Sequence, residues 1–491
     1  MRGFRLTART ARIITSAASC AGLLAGLLAA CSAGPAAGPV HRRDQVSPLA
    51  GVQLWASRFG GPGTGYDYAM AIAVSPGGAK VFVTGQKGRS PAINAYVDYA
   101  TVAYDAATGK RLWVSRYHGF WLVNRPSAIA VSPDGRTVFV TGSSQKRGEL
   151  GNGYDYATVA YSATTGAQLW VSRYNGPANA SDFAKAIAVS PSGGTVFVTG
   201  TASGGGYTTI AYDAHTGQQL WLSQYNGSAN KSGEASALAV SPDGRTVYVT
   251  GTSVEVKSGF DYATVAYDAR TGAERWVRTC NGGANFSNTA TSLRVSPDAG
   301  TVFVTGESGI DPSGYDFATV AYDAATGAQR WVSRYNGPGN GIDVARSVAV
   351  SPDGGTVYVT GRSDSAPRHP DYATIAYNAR TGAQKWVRRY NGHGNCRTIS
   401  TSVAAGAGGR EVFVTGDSTS LTSAPSSCKE GIATIAYSAA TGTQLWLKHV
   451  RNGALYGGLA VSRATNTVFI PGDIAAGPNS GYDYYTVAYH G

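Results

Sequence analysis

The sequence of 491 residues has few charged side chains, few cysteines and very little methionine. Only 14% of its residues are charged, and it contains 5 Cys and 2 Met. No long stretch shows the 3.6-residue apolar period of an amphipathic helix or the heptads of a coiled coil, so a helical protein is not expected. Beyond the N-terminal region, no segment is apolar enough over a sufficient length to span a membrane.

The signatures of several enzyme classes and of nucleic-acid binders are missing as well. The seven histidines show no HxxxH or other zinc-ligand spacing, and there is neither a Gly-x-Ser-x-Gly elbow nor a phosphate-binding loop. A nucleic-acid site would need one basic patch with interleaved aromatic residues. The net charge of +12 is instead spread along the chain. We therefore predict no nucleic-acid binding.

The first 50 residues have the composition of an export signal followed by a linker. Residues 1–30 carry basic residues and then an apolar run, which predicts a signal peptide. The run ends in LLAAC, which resembles the bacterial lipobox and makes Cys31 the predicted lipidation site. The alternative is a plain secretory signal with an incidental cysteine. Residues 31–50 are rich in Ala, Gly and Pro and predict a flexible tether. We expect an extracytoplasmic chain anchored to the cell membrane.

Glycine and tyrosine, in contrast, are abundant, and a long unit is repeated. The 65 Gly and 29 Tyr favour strands and tight turns. Tryptophans recur every 51 to 60 residues: Trp55, Trp113, Trp170, Trp221, Trp276, Trp331, Trp386 and Trp446. Each interval holds four apolar runs, as in AIAVS (128–132), TVFVTG (137–142), YATVAY (156–161) and LWVSRY (169–174). Four short strands joined as a meander form one blade of a β-propeller.

The two ends of the repeated region complement each other. The first three runs occur eight times, and the last copy stops at Gly491 without its tryptophan strand. The stretch GVQLWASRF (51–59) is a tryptophan strand with no blade before it. We therefore predict an all-β fold, a single eight-bladed propeller over residues 51–491. The N-terminal strand would complete the last blade, which leaves no open sheet edge.

The repeat resembles known propeller families. AYDAATGAQRW (321–331) resembles the tryptophan-docking motif of quinoprotein dehydrogenase-like propellers. The longer unit is similar to bacterial SBBP-type repeats, with some similarity to YVTN-type repeats. The quinoprotein resemblance implies pyrroloquinoline quinone (PQQ) over the channel with a calcium ion. No segment matches that family's catalytic loops, and its adjacent cysteines are absent, so no catalytic residue is predicted.

Residues that recur in every blade indicate structure, whereas variable loops indicate binding. The repeated tryptophans are predicted to pack between blades. The connections from second to third strand and from one blade to the next share one face, and they vary most. There, Cys396 and Cys428 are a candidate disulfide. Phe120 and Trp121 are a candidate platform for a sugar or peptide, with local packing as the alternative.

Six polar residues precede the innermost strands at places that look equivalent. They predict either a polar ring at the channel mouth, able to hold a cation through oxygen ligands, or caps of the adjoining loops. The six are Asp67, Asn124, Asp182, Glu234, Asn288 and Asp343.

The sequence as a whole favours binding over catalysis. We expect a monomeric, non-catalytic binding or scaffold module at the cell surface, without cofactor or metal. Its partner would be a surface protein or a cell-wall polymer. The alternative functions are a PQQ-dependent oxidoreductase or a polysaccharide hydrolase or lyase.

Overall fold

Every described element of secondary structure is a β-strand, and the strands form eight antiparallel blade sheets arranged as a ring and one small two-stranded hairpin. The computed structural model describes residues 49–491 apart from 61–64, 89–95, 121, 147–152, 228–232, 256–258, 282–285, 312–313, 367–368, 393–396, 422–427 and 478–479. The predicted eight-bladed β-propeller is confirmed. Within the described ranges, no helix is long and apolar enough to cross a membrane.

The strands follow the repeat along the chain. The N-terminal strand is β1 (Gln53–Phe59). Blades 1 to 4 are β2 (Tyr68–Val74), β3 (Lys80–Gly88), β4 (Val97–Asp105), β5 (Arg111–Tyr117); β6 (Asn124–Val131), β7 (Thr137–Gln145), β8 (Tyr154–Ser162), β9 (Gln168–Tyr174); β10 (Phe183–Val189), β11 (Thr195–Thr201), β12 (Tyr207–Asp213), β13 (Gln219–Tyr225); and β14 (Gly233–Val240), β15 (Thr246–Glu255), β16 (Gly259–Asp268), β17 (Glu274–Cys280).

The second half of the ring repeats this order with two variations. Blades 5 and 6 are β18 (Asn288–Val295), β19 (Thr301–Asp311), β20 (Gly314–Asp323), β21 (Gln329–Tyr335); and β22 (Asp343–Val350), β23 (Thr356–Asp364), β24 (Pro370–Asn378), β25 (Gln384–Tyr390). Blade 7 is β26 (Thr398–Ala405), β27 (Glu411–Ser418), β30 (Gly431–Ser438) and β31 (Gln444–Arg451), with a small hairpin β28 (Ser420–Leu421) and β29 (Cys428–Lys429). Blade 8 contains β32 (Gly453–Ala454), β33 (Ala460–Val461), β34 (Thr467–Gly477) and β35 (Ser480–His490).

The tight turns of each blade are built from side chains that bond to the local backbone. In blade 1, the Asp105 carboxylate accepts hydrogen bonds from the Thr108 N–H at 2.9 Å and from its hydroxyl at 2.7 Å. Gly109 closes this turn with a φ of +69°, a conformation that glycine adopts without a Cβ clash. These turns position the third and fourth strands of the blade.

The core lies in the seams between neighbouring blades. The third strands are buried on both faces, as β4 shows from Val97 to Tyr104. The fourth-strand tryptophan of one blade lies under the turn glycine of the next, as Trp170 lies under Gly217. Its indole N–H also crosses the seam, because Trp170 Nε1 donates to the Ala214 carbonyl at 3.0 Å. Burial of such aromatic rings stabilises the association of blades.

The ring closes through the N-terminal strand, as predicted. β1 pairs with β35, and Trp55 lies opposite Ala488 just as Trp113 lies opposite Ala103 in blade 1. The Gly51 N–H donates to the His490 carbonyl at 2.7 Å. Blade 8 is thereby completed by a strand from the opposite end of the repeated region, and the last blade has no open edge there.

Candidate functional site

The two faces of the ring differ in how uniform they are. On the turn face, which carries the first-to-second and third-to-fourth strand connections, the same short turns recur. On the loop face, which carries the second-to-third strand connections and those between blades, lengths differ. In blade 3, β11 ends at Thr201 and β12 begins at Tyr207. In blade 7, the longer segment 419–430 separates β27 from β30. Binding sites are expected among such variable loops on a rigid scaffold.

Five of the six residues predicted as a polar ring are buried and hold the adjoining loops. Asp182 accepts hydrogen bonds from the backbone N–H groups of Gly176 at 2.6 Å and Ser203 at 2.7 Å. Asn124 and Asn288 instead donate to backbone carbonyls of the loop before them and of a neighbouring third strand, and Asp343 accepts from two backbone N–H groups. Their exposed fractions, with that of Asp67, are at most 1%. These contacts tie the five side chains to the backbone of the adjoining segments, and the choice between the two predicted roles stays a prediction.

Asp67 differs from the other four by an ion pair. Its carboxylate contacts the Lys87 ammonium group and accepts a hydrogen bond from the Gly88 N–H at 3.0 Å. Burial nevertheless raises the pKa of Asp67 above its ordinary value, against the opposing effect of Lys87.

The sixth residue of the predicted ring, Glu234, was placed wrongly by the sequence interpretation. Asn124 pairs with Ser144 and Asn288 with Ser308, but the residue that pairs with Ser253 in blade 4 is Gly233. Glu234 lies one position later, opposite Thr252, and is exposed. A shift of one residue along a strand turns the side chain to the other side, so Glu234 does not share the position of the other five.

Of the remaining predicted site residues, the structure fully describes Phe120. Phe120 is 67% exposed, and the Arg173 guanidinium carbon lies 4.7 Å from the centre of its ring. Trp121, Cys31 and Cys396 lie outside the described residues, as does the Cys428 side chain, although Cys428 begins β29. The lipidation site, the disulfide and the Phe120–Trp121 platform stay predictions.

A group of four tyrosines that the sequence interpretation missed lies where blade 8 meets blade 1. Tyr66, Tyr68, Tyr456 and Tyr482 form this tyrosine cluster. The Tyr68 ring lies 5.1 Å from Tyr456, 6.1 Å from Tyr482 and 6.2 Å from Tyr66, measured between ring centres. Tyr456 is 56% exposed and Tyr66 is 37% exposed. The cluster therefore presents aromatic faces to solvent on the loop face.

Two carboxyl groups on second strands adjoin the tyrosine cluster. In blade 8, Asp473 Oδ1 accepts a hydrogen bond from the Ala69 N–H of blade 1 at 2.7 Å. Asp417 of blade 7 accepts one from the Leu455 N–H of blade 8 at 2.8 Å. Each carboxyl thus joins one blade to the next, and each lies close enough to raise the pKa of Tyr456, after the larger effect of burial.

Asp473 is the most strongly perturbed of these acids. Burial, with smaller contributions from the negative charges of Asp67 and Asp417, raises its pKa to about 8. The side chain has no exposed surface, and its Oδ2 has no hydrogen-bond partner among the described residues. At neutral pH this carboxyl is therefore mainly protonated. It supports the backbone of blade 1 beneath the cluster rather than facing solvent.

One sequence signal could have located this site. The second strands of most blades read TVxVTG, but β34 reads TVFIPGD, so that Pro471 replaces the threonine and Asp473 follows the glycine. The inner segment of blade 8, ALYGGLAV, also departs from the repeat and contains Tyr456. Departures from a repeat within one chain mark residues that the repeat itself does not require.

The described residues show neither a group of three or more His, Cys, Asp and Glu side chains that could hold a metal ion nor a repeated tryptophan on the inner strands, two features that would suit the cofactor implied by the quinoprotein resemblance. All eight repeated tryptophans lie on fourth strands in or beside the seams, away from the inner strands that line the channel. A planar quinone would find none of these rings to stack on.

Comparisons with known proteins agree with this architecture. The profile of the family described as outer membrane protein assembly factor BamB, a PQQ-like family, matches residues 98–310 and again residues 261–446. These matches together span well over half of the sequence. The chain belongs to this family. No curated protein sequence matches it significantly.

Solved structures share the fold at low sequence identity. Quinohemoprotein alcohol dehydrogenase from Comamonas testosteroni is 14% identical, with a TM-score of 0.56 over 89% of this chain and 76% of that one. Chaetomium thermophilum Sqt1, bound to the N-terminus of the ribosomal protein L10, is 15% identical, with a TM-score of 0.56 over 87% of this chain and 98% of that one. Likeness at this identity shows the propeller fold alone.

Proposed function

We propose that this protein is a non-catalytic binding module outside the cytoplasm, and that the tyrosine cluster contacts its ligand. The observation that carries the proposal is the group of four neighbouring tyrosines, two of them well exposed, on the variable face. Tyrosine supplies a large contact area at low entropic cost and is enriched in interfaces. The proposed partner is a surface protein.

The charges around the cluster favour a basic segment of that protein. Asp417 and Glu430 place carboxyl groups near Tyr456, and each raises the pKa of its hydroxyl, whereas the buried Asp473 is mainly protonated at neutral pH and adds little charge there. The chain as a whole carries a net charge of +12, so this acidic part of the loop face contrasts with the rest. Lysine and arginine side chains would be attracted to the acids and could lie over the tyrosine rings.

Binding is favoured over catalysis by the position of the perturbed acid. A general acid must come within hydrogen-bond reach of the reacting group. Asp473 has an elevated pKa, but it has no exposed surface and already accepts from Ala69 N–H. Its arrangement suits support of the loop face rather than proton transfer to a polysaccharide.

Titration calorimetry with defined probes tests the proposal. The probes are a decapeptide of alternating Lys and Ser, the matching Glu and Ser peptide, and a β-1,4-linked N-acetylglucosamine tetramer. The Lys peptide should bind, and Tyr456→Ala should weaken its binding by about tenfold, or about 1.4 kcal/mol. Phe260→Ala is the matched control, because Phe260 is a 49% exposed aromatic residue elsewhere in the ring.

Each other outcome would change the proposal. If the sugar tetramer binds in a Tyr456-dependent way and the peptide does not, the partner is a polymer rather than a protein. Equal binding by both variants would remove the tyrosine cluster from the site. A rise in the unfolding midpoint with PQQ and calcium, with no effect of the peptides, would favour the oxidoreductase alternative.

The membrane anchor has its own test. We propose that Cys31 carries the lipid, on the basis of the LLAAC sequence that it ends. Cys31→Ser should move the protein from the membrane fraction to the soluble exported fraction. An unchanged distribution would contradict lipidation at this residue.

A further inference from the structure

One inner-strand position differs in a single blade of the ring. In blade 5 this position is Arg294, which pairs with Phe303 of the second strand. The residues that pair with the corresponding aromatic residue in the other seven blades are all alanines: Ala73, Ala130, Ala188, Ala239, Ala349, Ala404 and Ala460. Arg294 is therefore the one long, charged side chain at a position that carries a methyl group in the other seven blades.

Arg294 is exposed to solvent and yet surrounded by protein. Its side chain is accessible, while desolvation by the surrounding chain lowers its pKa from the ordinary value. These two properties are compatible in a narrow, water-accessible space. The innermost strand of each blade lines the centre of a propeller, so the side chain occupies the central channel.

Among the residues that the structure describes, no carboxylate pairs with Arg294. Its Nη1 donates to the Leu293 carbonyl of its own strand at 2.8 Å. None of the ion pairs formed between described residues involves it, and no carboxylate contributes to its pKa shift. A partly desolvated cation without a counter-charge is energetically unfavourable, and an anion that reaches it would reduce that cost.

The rest of the inner-strand lining is also mainly basic. Its other exposed charged residues are Arg125, Lys185 and Arg346, which are basic, and Glu234, which is acidic, while Asp343 of β22 is buried. Arg125, Lys185 and Glu234 lie within the first three residues of their strands, towards the loop face, and Arg346 is the fourth residue of its strand. Arg294 lies two residues before Ser296, where the turn of blade 5 begins, and so is near the turn face.

We propose that Arg294 is an anion-binding residue in the central channel and takes a carboxylate or phosphate group of a ligand that enters from the turn face. The planar guanidinium can donate two parallel hydrogen bonds to either group. The corresponding positions of the other seven blades carry only the small side chain of alanine. This site lies towards the opposite end of the channel from the tyrosine cluster, so it does not depend on the function proposed above.

The repeat supplies a suitable variant for the test. Arg294→Ala introduces the residue that the other seven blades carry, so the ring should fold. Binding of inorganic phosphate and of citrate to the purified protein is measured by calorimetry, with the unfolding midpoint as a second readout. We expect Arg294→Ala to weaken binding at least tenfold. The control is Arg136→Ala, because the Arg136 side chain on a surface turn is 87% exposed.

The outcomes separate the ligand chemistry from its alternatives. A response to phosphate alone supports the site and assigns phosphate, and a response to citrate alone supports it and assigns carboxylate. Equal binding by the wild type and Arg294→Ala would overturn the proposal. So would a loss of binding in Arg136→Ala, which would indicate attraction of anions to surface arginines.

Discussion

Seven seams of the ring and the eighth are built differently. In seven, the fourth-strand tryptophan donates its indole N–H to an alanine carbonyl in the next blade, at 2.8 to 3.2 Å. In the seam between blades 7 and 8, Trp446 Nε1 has no acceptor among the described residues. There the turn above the tryptophan is split between Gly51 and His490, which a hydrogen bond joins.

This difference shows what a covalent turn contributes to a repeat. The contact of glycine with tryptophan survives in the split seam, since Gly51 has a φ of +74° and lies against Trp446. The hydrogen bond of the indole across the seam is absent there among the described residues. Apolar contact needs only proximity, whereas a hydrogen bond needs a donor and an acceptor held at the correct angle.

Deletion of residues 51–59 should have the largest effect, because it removes β1 from the split seam. The deletion exposes the β35 edge and removes the buried Trp55 and Phe59. Loss of one buried tryptophan alone costs about 3–5 kcal/mol, so we expect the cooperative thermal transition to be lost or strongly lowered. Deletion of residues 36–44 in the predicted tether, of equal length, should leave it unchanged. A β1 deletion as stable as the full ring would show that closure is dispensable.

Replacing tryptophan by phenylalanine should separate the hydrogen bond from the apolar contact. Trp221 donates to the Ala269 carbonyl at 3.0 Å, whereas Trp446 has no such bond. Both variants lose ring area, but Trp221→Phe also leaves a carbonyl unpaired, so its free energy of unfolding should fall by about 1 kcal/mol more. Urea unfolding of the two variants measures this. Equal losses would mean that the indole hydrogen bond contributes nothing.

The free energy of unfolding should vary with pH because Asp473 ionises. The destabilisation caused by its ionisation should be absent at acidic pH. Its pKa in the folded state is about 8, above the ordinary value of 3.8. The folded state therefore binds more protons than the unfolded state between these values, so the free energy of unfolding decreases as pH rises from about 4 to 8.

Asp473→Asn keeps an oxygen for the Ala69 N–H and cannot ionise. Its stability should decline less over this range, and above pH 8 the variant should be the more stable protein, by at least about 1 kcal/mol. Urea unfolding at pH 4, 6 and 8 measures the difference. A parallel decline in both proteins would assign the pH dependence to Asp67 or Asp417 instead, whose pKa values are also raised.

Much of the fold could be predicted because the pattern of strands and turns that makes one blade recurs along the sequence. The four runs of each unit became strands, and the strand around Trp55 completed blade 8. The error at Glu234 shows the limit of this reasoning. The connection before β14 differs from those of the neighbouring blades, so aligning the repeats by their sequence placed Glu234 one residue away from the equivalent position. Only the pairing of Gly233 with Ser253 shows the register of this strand.

The candidate site was less predictable than the fold. Asp67 and Asn124 were noticed because polar residues preceded several inner strands, and their burial could not be seen from the sequence. Tyr456 and Asp473 attracted no prediction, since each lies in a part of blade 8 that departs from the repeat. Their partners in blade 1 are about 400 residues away, as the 404-residue separation of Ala69 and Asp473 shows.

The sequence alone determined the blade and the number of blades, because strand period, turn residues and the spacing of tryptophans are local properties. The tertiary structure decided which residues meet when the ring closes. Closure brings Tyr68 beside Tyr456 and the Ala69 N–H to Asp473. It also decided that Arg294 faces a channel, because a channel exists only once eight inner strands surround a common centre.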